Sequence, residues 1–166
     1  MRRRTAPLLI CLPAVFTLAL APLSSDGKVG DTLSLTGLND TQLDVTVIKV
    51  VEPAGVEPSF FKIRPENHLV AVQLRLKNTG TGVYDDAPWI GASVVDASNQ
   101  RFNTSMLTPT TAGVELPGSI TLRPGATALG YLCFEVPDNS RVVTVQYSMN
   151  SGFSDDVGEW AVSYTA

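Results

Sequence analysis

The chain has 166 residues, 44% of them hydrophobic, with 12 basic and 16 acidic groups and a formal net charge of −4. Its first 25 residues hold three arginines and no acid, so the remainder carries nine basic against 16 acidic groups, a net −7. That balance argues against nucleic acid or anionic lipid as a partner, because both need a basic footprint.

Arg2, Arg3 and Arg4 precede an apolar run from Ala6 to Ala21, and the polar Ser24-Ser25-Asp26 follows. A charged start, an apolar middle and a small-residue end form the layout of an export signal. Residues 1–25 are therefore read as a signal peptide, and residues 26–166 as one domain that works secreted or at the cell surface. Ala19-Leu20-Ala21 suits signal peptidase, although Pro22 directly behind it shifts the cut toward Ser24 or Ser25. The apolar run is short against the roughly 20 residues of a spanning helix and is interrupted by Pro7 and Pro13. Removal is expected, with an uncleaved anchor as the alternative and the sole route to the membrane. Cys11 follows Ile10 inside the run, where lipid attachment would call for a small residue. Cleavage leaves Cys133 alone, so no internal disulfide forms and the core must hold the fold.

Beyond residue 25 the dominant signal is period two. Thr32 to Thr36 and Leu43 to Val47 alternate polar with apolar. Val70, Val72, Leu74 and Leu76 point one way, with Gln73, Arg75 and Lys77 opposite. Leu132, Phe134 and Val136 oppose Tyr131, Cys133 and Glu135; further alternations cover Val143–Ser148 and Trp160–Tyr164. Successive side chains of a strand leave opposite faces, so these are half-buried strands. Turn chemistry separates them at 78–82, 96–100, 123–125 and 137–139. The first of these, Asn78 to Gly82, is expected to close a hairpin on a central strand 68–77. Pro124-Gly125 predicts a tight turn, and Gly130 predicts a bulge or the close approach of another backbone. Residues 103–117, with Pro109 and Pro117, predict an irregular connection. About seven to nine strands result, which is the count of an antiparallel β-sandwich.

Val29-Gly30-Asp31-Thr32, Leu43 to Val47, His68 to Val72 running into Leu74 to Gly80, Leu122-Arg123-Pro124-Gly125, Gly130 and Phe134-Glu135-Val136-Pro137 occur in order. As a set covering most of residues 28–149, they resemble a secreted bacterial Ig-like domain family of unknown function. That family includes the mycobacterial immunoprotective extracellular antigen. The resemblance implies an immunoglobulin-like sandwich exported by a Gram-positive, actinobacterial cell, with no established activity and no catalytic residues to carry over.

The residues that carry chemistry elsewhere are sparse here. His68 is the single histidine and falls on the apolar side of a strand start, the place of a packed or hydrogen-bonded residue rather than a ligand. No G-x-S-x-G elbow positions a serine nucleophile. Cys133 has apolar sequence neighbours, where a thiol stays protonated and inert. Asp85-Asp86 and Asp155-Asp156 lack the spacing of a known calcium loop. Trp89 and Trp160 are the two tryptophans available to line a sugar cleft, and nothing else in the pattern points to one. Asn39 and Asn103 head formal glycosylation sequons. The most suggestive surface element is Ser59-Phe60-Phe61-Lys62-Ile63, framed by Pro53, Pro58 and Pro65, because adjacent phenylalanines cannot share one side of an extended chain. Phe60 and Phe61 are therefore the candidate partner contact. The expectation is a non-enzymatic Ig-like module for a protein or cell-envelope partner, with no catalytic residue, cofactor or metal. The alternative is an extracellular hydrolase or calcium-dependent enzyme with a site assembled from His68, Asp85 and Asp156.

Overall fold

The computed structural model describes residues 24–56, 62–105 and 110–164. Residues 1–23 of the signal segment, with the anchor alternative, and the Phe60-Phe61 contact fall outside these residues, whereas Ser24 and Ser25 already belong to a strand. The alternating segments form strands as their period demands. One sheet holds β1 (Ser24–Lys28), β11 (Val157–Ala161), β10 (Val142–Ser148), β6 (Ala92–Asp96) and β7 (Arg101–Asn103), in that spatial order. The facing sheet holds β2 (Thr32–Thr36), β3 (Gln42–Ala54), β4 (Asn67–Asn78) and β9 (Thr127–Pro137). A short ribbon pairs β5 (Tyr84–Asp86) with β8 (Ile120–Leu122). Eleven strands are thus present among the described residues, several of them only three residues long. The pairing is antiparallel except at the edge, where β1 runs parallel to β11.

The core lies between the sheets. Val45, Val47, Val70, Val72, Leu74 and Phe134 meet Val94, Val145, Tyr147 and Trp160, all at most 1% exposed. Each such aliphatic or aromatic side chain contributes about 1.5–3 kcal/mol by leaving water. Trp160 keeps its polar atom satisfied, its Nε1 donating to the Asp31 carbonyl at 3.0 Å. β4 is central as expected, but the hairpin at Asn78–Gly82 does not form. Both edges of β4 are already taken by β3 and β9, so the following strand pairs elsewhere. The buried Asn78 instead pins this corner. Its Nδ2 donates to the Gly82 and Leu122 carbonyls, both at 2.8 Å, and its Oδ1 accepts from the Gly80 amide at 2.9 Å.

The Pro124-Gly125 turn is present, with the Ala126 amide on the Arg123 carbonyl at 2.9 Å and Gly125 at φ +81°. Gly130 also behaves as its position predicts, since a Cβ there would lie 2.5 Å from the Leu116 amide nitrogen. The irregular connection, described over 103–105 and 110–117, is a strap over the outer face of the second sheet. It covers Leu69, Ala71, Tyr131 and Cys133, which form a second small core with Ala54. Hydrogen bonds join Leu116 to Tyr131 and Tyr131 to Val114, both at 2.9 Å.

Candidate functional site

Three loops gather at one end of the sandwich: 37–41, 87–91 and 149–154. Asn39 (φ 55°) and Asp40 (φ 58°) in the first, and Asn150 (φ 54°) and Ser151 (φ 55°) in the third, are left-handed without being glycine. Such residues cost on the order of 1–3 kcal/mol each and persist only where their surroundings hold them. Here the holding contacts are visible. The Asn150 side chain accepts from the Leu38 amide at 2.7 Å, and Ser151 donates to Asp86 at 2.8 Å. The Asn150 amide donates to the Tyr84 hydroxyl at 3.2 Å, and that hydroxyl in turn donates to Asp86. Burial, then the Asp86 carboxylate, raises the Tyr84 hydroxyl above its ordinary pKa, so it stays a donor. Gly91, ending α1 (Pro88–Gly91), has no room for a Cβ, which would meet the Ser148 carbonyl at 2.0 Å. These bonds tie the loops to one another, yet the frame turns apolar side chains outward: Leu38 is 49%, Ile90 49% and Phe153 76% exposed.

Beside this rim lies a cleft of about 290 Å³ on the outer face of the first sheet. Its floor is Ser93, Gln146 and Ser148; its walls are Ile90-Gly91, Ser151-Gly152 and, from β7, Arg101 and Asn103. Floor residues on an outer sheet face ordinarily meet solvent, but Ser93 is 6%, Ser148 8% and Gln146 9% exposed. Ser93 hydrogen-bonds Gln146 Oε1 at 3.3 Å, and Gln146 Nε2 donates to Glu159 at 2.5 Å. The Ser148 hydroxyl donates to the Ser154 carbonyl at 2.8 Å.

The residues singled out by the sequence do not converge here. His68 stands at the opposite end. Its Nε2 is 2.9 Å from Glu52 Oε1, and its Nδ1 is 3.6 Å from Asp138 Oδ1. Glu52, with a side chain 6% exposed, also accepts from the Tyr164 hydroxyl and from the Val142 amide at 3.3 Å. The Arg141 guanidinium lies 3.6 Å over the Tyr164 ring. This group ties four segments together, and every oxygen of Glu52 is occupied by a structural donor. Asp85 pairs with Thr121 in the β5–β8 ribbon beside Asp86, which holds Tyr84 and Ser151, and Asp156 accepts from the Thr36 amide at 2.8 Å; none of the three is a partner of His68, which meets Glu52 and Asp138 instead. Among the described residues no group of three or more His, Cys, Asp or Glu is placed to hold a metal. Cys133 is a free thiol beneath the strap, pushed up to about 12 by burial and then by the nearby Glu115 carboxylate. Trp160 is in the core and Trp89 packs against it, so neither lines the cleft. Sequence reasoning missed Leu38, Ile90, Phe153, Ser93 and Gln146. Asn103 was visible solely as a sequon.

The fold and this loop end define a β-sandwich of immunoglobulin type. Residues 28–158 match the domain of unknown function DUF4352, and the chain belongs to that family. Its fold is shared with MPT63, a secreted protein of Mycobacterium tuberculosis. The two are 16% identical with a TM-score of 0.59, over 85% of this chain and 99% of that one. The yjhA protein of Bacillus subtilis is 17% identical with a TM-score of 0.58, over 84% and 99% of the two chains. A putative lipoprotein of Bacillus subtilis, ycdA, is 15% identical with a TM-score of 0.58, over 81% of this chain and 39% of that one. The resemblance drawn from the ordered motifs is thereby borne out. A comparison with curated proteins finds no match. Among the described residues no helix is long and apolar enough to cross a membrane.

Proposed function

We propose that the protein is a non-enzymatic module, exported or held at the cell surface, that binds a cell-envelope or protein partner through the loop end of its sandwich. The observation that carries this reading is the pair of loops whose left-handed, non-glycine backbone is locked in place while Leu38 and Phe153 face solvent. Strain concentrated where apolar side chains are presented is a feature of binding surfaces rather than of connections. The export layout of residues 1–25 supports the address, as do a secreted protein and a putative lipoprotein among the similar folds. Phe60-Phe61 is kept as a second contact, in the connection whose described flanks lie near the His68 end.

The test is chemical crosslinking of the protein to envelope fractions. Ile90→Ser with Phe153→Ser is expected to cut capture about tenfold, the loss of roughly 1.4 kcal/mol, without lowering the melting temperature. Capture unchanged by that pair but lost on Phe60→Ser would move the contact to the other end. Capture unchanged by both would end the proposal.

A further inference from the structure

We infer that the cleft beside α1 is a binding site for a neutral oligosaccharide, an inference that deepens the reading of the loop end as a binding surface. Strand register supplies the first reason. Asn103 pairs with Ser93, Ser93 with Gln146, Gln146 with Glu159, and Glu159 with Asp26. These five polar residues form one row across the outer face of the sheet. From Asn103 to Glu159 the row crosses three strand spacings, about 14 Å, which suits a short chain of sugar rings better than a single one.

The second reason is hydrogen-bonding capacity. Ser93, Gln146 and Ser148 are recessed, and the bonds of Ser93 to Gln146, Gln146 to Glu159 and Ser148 to the Ser154 carbonyl fix their geometry in advance of any ligand. Bonds of that kind leave hydroxyl lone pairs and one amide hydrogen of Gln146 unused. Arg101 and Asn103 on the wall make no side-chain bond among the described residues, so their donors and the Asn103 carbonyl are free. Vicinal sugar hydroxyls both donate and accept, and a mixed set of amide, hydroxyl and guanidinium groups answers both roles.

Charge and the rim supply the third. Among the described residues Arg101 is the one charged residue lining the cleft, and the row continues beyond the lining to the carboxylates Glu159 and Asp26, so neither an anion nor a cation meets a set of purely opposite charges. Phe153, in the chain between the lining residues Gly152 and Ser154, offers an exposed ring, and Ile90 an exposed aliphatic group. The C–H face of a sugar ring is apolar and lies well on such groups. At about 290 Å³ the cleft is at the small end of ligand sites, consistent with a chain that binds across it rather than within it.

The experiment is an amide NMR titration of the protein with neutral tetrasaccharides built from glucose, mannose, galactose and N-acetylglucosamine. At least one is expected to give saturable shifts at millimolar concentration or below, centred on Ser93, Asn103, Gln146 and Gly152. Asn103→Ala and Phe153→Ser are each expected to weaken that binding about tenfold, the value of one good contact. Both sites are on the rim, and an unchanged melting temperature shows that the variants fold. No saturable shift with any of the four sugars, or shifts that ignore both variants, would overturn the inference. Envelope capture that still depends on Ile90 and Phe153 would then leave the loop-end reading standing, whereas loss of both would remove the two together.

Discussion

Gly130 shows how a single residue is dictated from across the fold. Nothing in β9 itself requires glycine, but the strap backbone passes so near that a methyl would sit 2.5 Å from the Leu116 nitrogen and 2.6 Å from its Cα. Backbone cannot swing aside as a long side chain can, so Gly130→Ala is expected to cost about 1–3 kcal/mol, as overpacking does. The loss should appear as a lower urea midpoint at unchanged slope. Cys133, two strand positions past Tyr131, is governed by the same strap. Burial first and the Glu115 carboxylate second hold its thiol protonated far above neutral pH. Iodoacetamide at about pH 8 is therefore expected to leave the folded protein unlabelled and to modify Cys133 once denaturant opens it. Rapid labelling of the folded chain would show that the strap does not seal this face.

At the scale of elements, both ends of the sandwich are fastened by side chains reaching over the strand termini. Asn78 does this at the β4 corner, bonding the Gly82 and Leu122 carbonyls and the Gly80 amide through its one side chain. At the other end, Tyr164 lies beyond β11 and donates its one hydroxyl proton to the buried Glu52 of β3, with the Val142 carbonyl of β10 lying 3.0 Å from the same oxygen. Tyr164→Phe leaves a buried carboxylate short of a donor and is expected to destabilise by about 1–3 kcal/mol. Amide exchange should quicken most at Val142 and near Glu52. An even acceleration across all strands would argue that the latch is not local.

Across the whole molecule, two carboxylates couple stability to acid. Asp96 accepts from the Ser140 hydroxyl and from the Gln100 and Ser98 amides, which hold its carboxyl below the usual range. Burial alone would raise Glu135, but Arg64 at 2.8 Å outweighs it and the net shift is also downward. Both groups bind fewer protons folded than unfolded. Their contribution is complete above the unfolded carboxylate pKa of about 4 and is lost as pH falls through the lower folded values. The melting temperature should thus be nearly flat from about pH 7 to 5 and drop below about pH 4. Asp96→Asn should blunt that drop, and a variant that keeps the wild-type acid profile would remove Asp96 from the account.

The strands were legible because burial on one face imposes a period of two, as in Val70 to Leu76, and that period is local. The turn at Pro124-Gly125 was legible for the same reason, since its backbone angles are set by the residues themselves. What the order of residues left open depends on neighbours distant in the chain. Asn78 looked like a hairpin turn until β3 and β9 were seen to occupy both edges of β4. His68 and Asp156 fell to opposite ends because β4 and β11 deliver them there. The row from Asn103 to Glu159 exists only through strand register, which brings four strands' unremarkable polar residues into line. Alternation can decide which face a side chain occupies, but only the pairing of strands decides whom it meets there.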